Sequence, residues 1–291
     1  MTTQPLPPVV DEAWVRAARA ASPGDVVLAD VRRYWDRRDG RAEFEKRHIA
    51  GAVWVDLDNE LAARDQPATA GRHPLPSPEA FARAMGAHGI GDDTTVVAYD
   101  DTGGMTSGRM AVMLRALGRP AAVLDGGLAG WTGPTESGPA HPSTPRSFTP
   151  RPWPDRLLID AGAIGHAAKS GAVVLDALGG GRFLGEAGSP GGGGSSDIRP
   201  GHIRGTRGAP WEAALDPASG RFRGADELAR HYRALGVESA DDVINYCGSG
   251  VSACVNILAM ERAGLGHARL YVASMSGWSS HTGGGGYQDN D

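Results

Sequence analysis

Only two cysteines occur in the 291 residues, Cys247 and Cys254, and their surroundings differ. Cys247 ends the apolar run Val243-Ile244-Asn245-Tyr246 and opens the segment Cys247-Gly248-Ser249-Gly250-Val251-Ser252-Ala253. Two glycines let the backbone curl tightly, so several amide N–H groups can point at the sulfur, and the helix that follows adds partial positive charge at its N-terminus. Such a loop favours a thiolate, a nucleophile at neutral pH, and the same amides could hold the charge of a terminal persulfide. Gly248, Gly250, Val251 and Ser252 are therefore expected to surround the sulfur. The competing reading, a buried structural cysteine, is the common fate of a free cysteine. A glycine-bearing loop at a strand end argues against it for Cys247. Cys254 lies inside the apolar run Cys254 to Met260 and is expected in the core. With loop then helix between them, a disulfide is hard to close.

The elements that must position this loop appear twice. A proline-rich stretch from Gly133 to Pro154 interrupts any helix or central strand. On its two sides the same order recurs: Val26 to Asp30 and Ala172 to Asp176, His48-Ile49-Ala50-Gly51 and His202-Ile203-Arg204-Gly205, Thr95 to Asp100 and Asp242 to Cys247, Ala121 to Asp125 and Ala268 to Val272. Asp100 precedes Trp131 by the same 31 residues that separate Cys247 from Trp278. Short apolar runs without polar alternation read as strands buried on both faces of a mainly parallel sheet, and ligands sit beyond the carboxyl ends of such strands. Asp100 and Cys247 both stand there. Helical patterns lie between, with Met110, Met113, Leu114 and Leu117 in one and Glu227 to Leu235 in another. The fold class expected is α/β, two tandem domains, each a mainly parallel sheet flanked by helices. The boundaries are 9–135, a linker over 136–156, and 157–282. The symmetry of His48 and His202, and of Trp131 and Trp278, argues for fold roles rather than site roles.

Bulk properties exclude several functions. Lys and Arg number 29 against 34 Asp and Glu, a net charge of −5 with the signs interspersed, which disfavours nucleic acid as a partner. No apolar run reaches the roughly 18 residues of a membrane span, and Met1 to Val10 lacks a signal pattern. A soluble cytoplasmic protein is expected. Two cysteines and nine scattered histidines suggest no metal site.

The loop Cys247 to Ala253 resembles the active loop of the 3-mercaptopyruvate sulfurtransferases, members of the rhodanese superfamily. The paired His-Ile-x-Gly elements, Asp30-Val31-Arg32, Leu124-Asp125-Gly126-Gly127-Leu128 with Trp131, and Asp176 through Gly181-Arg182-Phe183-Leu184-Gly185 extend the likeness from about Val9 to Ser280. The resemblance implies tandem rhodanese-like domains, the first without its cysteine, which fits Asp100 standing where Cys247 stands. It implies sulfur transfer through a Cys247 persulfide, with Ser249, His73 and Asp58 as a proton relay and Arg182 binding the donor. Read alone, His73 before Pro74 suits a surface loop, Asp58 a turn, Ser249 a turn former and Arg182 a solvated surface position. Thiosulfate-using members of the superfamily place cations directly after the cysteine; here Gly248 and Ser249 are neutral, which suits 3-mercaptopyruvate better than thiosulfate. A second donor-binding arginine of the family pattern falls on Gly188-Ser189-Pro190 and Gly191 to Gly194, and Arg199 is out of register. The resemblance implies a thiol or thioredoxin-like acceptor, with cyanide serving in an assay, and no cofactor. Two other readings compete. A Cys-loop phosphatase needs an arginine where Ser252 and Ala253 stand, and a tandem binding module would be natural had Cys247 been lost.

Overall fold

A computed structural model describes residues 6–22, 24–184 and 201–281. The first half runs β1 (Val9–Val10), α1 (Glu12–Ala21), β2 (Val26–Asp30), α2 (Gly40–Lys46), β3 (His48–Ile49), β4 (Val53–Trp54), α3 (Pro78–Ala87), β5 (Thr95–Tyr99), α4 (Ser107–Ala116), β6 (Ala121–Leu124) and β7 (Thr135–Glu136). The second runs α5 (Ala161–Lys169), β8 (Val174–Asp176), α6 (Gly180–Phe183), β9 (Arg207–Gly208), α7 (Ala225–Ala234), β10 (Ile244–Tyr246), α8 (Ala253–Arg262), β11 (Arg269–Leu270) and α9 (Ser274–Trp278). Helix starts follow local chemistry: Asp11, Ser77 and Asp160 each accept a backbone N–H from the first turn of α1, α3 and α5, satisfying donors that helix geometry leaves open.

The two main sheets have strand orders β1-β6-β5-β2-β4 and β11-β10-β8-β9, and β3 pairs with β7. Within both main sheets the pairings are parallel, so β6-β5-β2-β4 and β11-β10-β8-β9 are the same order written twice. The central strands are buried on both faces: Val96, Val97, Ala98 and Tyr99 of β5, and Ile244, Asn245 and Tyr246 of β10. This explains their unbroken apolar character. β11 is shorter than the run Ala268 to Val272 suggests, because the chain turns at Tyr271, whose carbonyl accepts Ser274 N–H.

The duplicated histidines are fold elements, as their symmetry implies. His48 stacks on Phe44 at 3.7 Å and His202 on Phe183 at 3.9 Å, and each Nδ1 lies 2.8 Å from the carbonyl of that same phenylalanine. The isoleucine after each histidine donates its N–H to a buried tyrosine, Ile49 to Tyr99 and Ile203 to Tyr246, both at 3.1 Å.

Residues 137–154 form no helix or strand, as their prolines require, yet they are packed down. Phe148 and Trp153 are buried against Phe81 of α3, and Trp153 Nε1 donates to the Pro76 carbonyl at 2.7 Å. The halves meet where α4 packs on α8. Arg115 of α4 grips Glu261 of α8 through Nε and a terminal nitrogen, each at 2.7 Å.

Candidate active site

Cys247 is 1% exposed at the end of β10. Its Sγ accepts the Gly250 N–H at 3.1 Å, and its own N–H donates to Ser274 Oγ at 3.2 Å. Its carbonyl and that of Gly248 accept N–H groups of Met275 and Ser276, both at 2.9 Å. Gly250 has φ +74°, and a Cβ there would lie 2.5 Å from the Val272 carbonyl oxygen, so the turn that aims its N–H at sulfur requires glycine. Val251 and Ser249 are nearly enclosed and Ser252 is buried. Among the described residues the amides of Ser249, Val251 and Ser252 have no hydrogen-bond partner.

The first half displays the same loop already filled. Asp100 ends β5 as Cys247 ends β10, and Gly103 (φ +70°) occupies the place of Gly250. The Asp100 carboxylate accepts N–H groups of Thr102, Gly104, Thr106 and Ser107 and the hydroxyls of Thr106 and Ser107, at 2.8–3.1 Å. This geometry cradles anions. In the first half the anion is the chain's own side chain, which closes that loop to any ligand.

Asp58 and His73 come together as expected: His73 Nε2 lies 3.1 Å from Asp58 Oδ1. His73 is not the surface residue its place before proline suggests; it is 5% exposed. Hydrogen bonding from His73, aided by Arg33, holds the Asp58 carboxyl below its usual range. Burial pushes the His73 imidazole below its ordinary value, with Asp58 opposing and Arg109 and Arg33 adding to the fall. Both shifts describe a carboxylate beside a neutral imidazole whose Nε2–H donates to it. His73 Nδ1 is then a buried proton acceptor with no partner among the described residues. Ser249 makes no side-chain hydrogen bond to either among the described residues. A cleft of about 530 Å³ borders this pair, lined by Arg33, Trp35, Asp58, Arg64, Arg72 and His73 among others. It adjoins the cysteine loop through Arg72 N–H, which donates to Ser276 Oγ at 3.0 Å. Arg182 sits in α6; its side chain, like the 185–200 segment with its glycine tract and Arg199, lies outside the described residues.

Three residues of the site escape a reading of the sequence. Arg109 of α4 reaches the Gly250 carbonyl at 3.1 Å. Ser274 adopts φ +50° and ties Cys247 N–H to the Tyr271 carbonyl. Ser276 connects Gly248 to Arg72. The one signal available was an arginine within a helix whose other residues, Ser107 to Leu114, are buried all round. Cys254 is wholly buried and burial pushes its thiol up to about 12, as expected of a core cysteine.

Residues 13–134 match the rhodanese-like domain family. A Pseudomonas aeruginosa protein named a probable 3-mercaptopyruvate sulfurtransferase is 36% identical over 90% of this chain and 92% of its own length. A Mycobacterium tuberculosis protein provisionally named a thiosulfate sulfurtransferase is 35% identical over 88% of this chain and 89% of its own. The crystal structure of an Escherichia coli 3-mercaptopyruvate sulfurtransferase superposes with a TM-score of 0.78, at 28% identity, over 92% of this chain and 98% of that one. With its duplicated parallel sheet and these relatives spanning nearly its whole length, the chain belongs to the two-domain rhodanese-like sulfurtransferases, the family in which sulfur travels as a persulfide.

Proposed function

We propose that the chain moves sulfur from 3-mercaptopyruvate to a thiophilic acceptor through a persulfide on Cys247. The observation that carries this is the Gly250 N–H on Cys247 Sγ at 3.1 Å, in a loop whose first-half twin holds a carboxylate. The Cys247 thiolate attacks the donor sulfur, the carbon–sulfur bond breaks, and its electron pair passes to the carbon as pyruvate enolate. The proton that the donor thiol gives up returns to that carbon, so the step is balanced and ends in pyruvate. Asp58, His73 and Ser249 are the groups proposed to carry the proton, with His73 Nδ1 as acceptor. Arg182 is the proposed ligand of the donor's carboxylate, for which a forked guanidinium is suited. The amides of Ser249, Val251 and Ser252 would hold the outer sulfur. A cellular thiol or thioredoxin-like protein is the proposed acceptor, and two free thiols suit a reducing cytoplasm.

Thiosulfate as donor is the second reading, favoured by the name of the mycobacterial relative. Against it stand neutral Gly248 and Ser249, where a dianion would call for cations. Steady-state turnover with each donor and cyanide as acceptor, on wild type and Cys247→Ser, decides between them. The expected result is a preference for mercaptopyruvate of at least about tenfold in kcat/KM, with turnover abolished in the variant. A thiosulfate preference would overturn the donor assignment, and activity surviving in Cys247→Ser would overturn the nucleophile.

A further inference from the structure

Among the described residues Arg109 is the largest wholly buried side chain, and its surroundings are odd for a cation. Buried charges are normally paired with opposite ones. Among the described residues, however, no carboxylate makes an ion pair with Arg109. Its hydrogen bonds go to neutral carbonyls: Gly250 at 3.1 Å, His73 at 3.0 Å and Leu61 at 3.4 Å. Its Nε is buried without a partner. Burial pushes the Arg109 guanidinium below its usual range, and the groups that oppose this are two sulfurs, Cys254 and Cys247. Cys254 stays a neutral thiol, because burial pushes it up to about 12. Cys247 is the sulfur on which the Gly250 N–H is aimed.

The internal repeat sharpens the point. The 147 residues from Asp100 to Cys247 carry Arg109 onto Asn256. Asn256 serves its own half, donating to the Ala209 carbonyl at 2.8 Å and accepting the Tyr232 hydroxyl at 3.0 Å. Arg109 instead bridges the halves, holding the Leu61 and His73 carbonyls of its own and reaching the other half's nucleophile loop. There Gly250 donates its N–H to the Cys247 sulfur, and its carbonyl, in the next peptide unit, accepts Arg109.

We propose that Arg109 is the counter-charge of the Cys247 sulfur anion, supplied by the first half across the α4–α8 contact, and that its bond to the His73 carbonyl fixes that anion's place relative to the Asp58–His73 pair. The proposal rests on Cys247 being the nucleophile. A buried guanidinium completed by a sulfur anion favours thiolate and persulfide alike, and makes the cysteine-less half indispensable to the site.

The test uses full-length chain and needs no sulfur donor: the rate of Cys247 alkylation by iodoacetamide at pH 7, followed by intact mass, with Cys247→Ser as the blank and circular dichroism as the fold control. Arg109→Gln is expected to slow alkylation at least tenfold, and Arg109→Lys, which keeps the charge, to stay within threefold of wild type. A folded Arg109→Gln that alkylates at the wild-type rate overturns the proposal. So does an Arg109→Lys slowed tenfold, which would make the residue a brace of fixed shape; if Arg109→Gln does not fold, the lysine variant alone decides. The nucleophile assignment fails separately, on turnover by Cys247→Ser.

Discussion

At the scale of single residues the site sets two groups against each other. His73 is held neutral by burial and by the cations Arg109 and Arg33, while Asp58 pulls the other way. Its folded pKa therefore lies below the 6.5 of an unperturbed histidine. As pH falls the relay stays deprotonated past that point, so the acid limb of kcat with mercaptopyruvate is expected below pH 6.5. Asp58→Asn removes the influence that raises His73, so the limb should move lower still, while loss of the held tautomer lowers kcat by about 10- to 100-fold. A limb at or above 6.5, or one that rises in Asp58→Asn, would contradict this assignment. Cys247 and its loop could be read from sequence because loop, strand end and helix are contiguous there. Asp58 and His73 emerged only through family resemblance, since fifteen residues of irregular chain separate them. Arg109 was illegible: nothing local tells which way an arginine on a wholly buried helix extends, and its partners lie 36 and 141 residues away.

At the scale of elements, one strand–loop–helix unit has been used twice with different contents, and its two glycines separate folding from chemistry. Gly250 and Gly103 share positive φ, so alanine at either costs about 1–2 kcal/mol of backbone strain. At Gly250 the new methyl also meets a backbone oxygen at 2.5 Å, whereas at Gly103 it meets the movable Leu215 Cδ1 at 2.5 Å. Gly250→Ala is expected to lose at least about 2 kcal/mol and to cut kcat by at least tenfold, because the N–H on sulfur is re-aimed. Gly103→Ala should lose stability with kcat within about twofold of wild type, as its loop holds only Asp100. Urea midpoints with turnover on the two variants check this; equal losses of kcat would mean that the loops do not act separately. The repeated order of central strands was visible in the sequence because burial on both faces leaves them uniformly apolar. The edge strands β4 and β9 were not, since two residues carry no periodicity. Nor was the pairing of β3 with β7, which joins residues over eighty positions apart.

At the scale of the whole molecule, the cysteine-less half is bound into the active one through α4 and α8, and the ion pair between them tests how tightly. Arg115 and Glu261 expose 16% and 7% of their side chains and meet in a two-pronged contact. Removing one partner of a buried pair costs about 3–5 kcal/mol. Here the stranded Arg115 keeps its bonds to the Leu6 and Ala121 carbonyls, so Glu261→Gln should cost about 2 kcal/mol, below that range. If Arg109 makes the site depend on both halves, the loss must appear in both together. Far-UV circular dichroism and residual turnover, measured against urea, should fall in one coincident transition whose midpoint drops in the variant. Two separated transitions, or turnover outlasting the first of them, would mean that the second half works without the first. The buried guanidinium between the halves would then have no catalytic reason to be there.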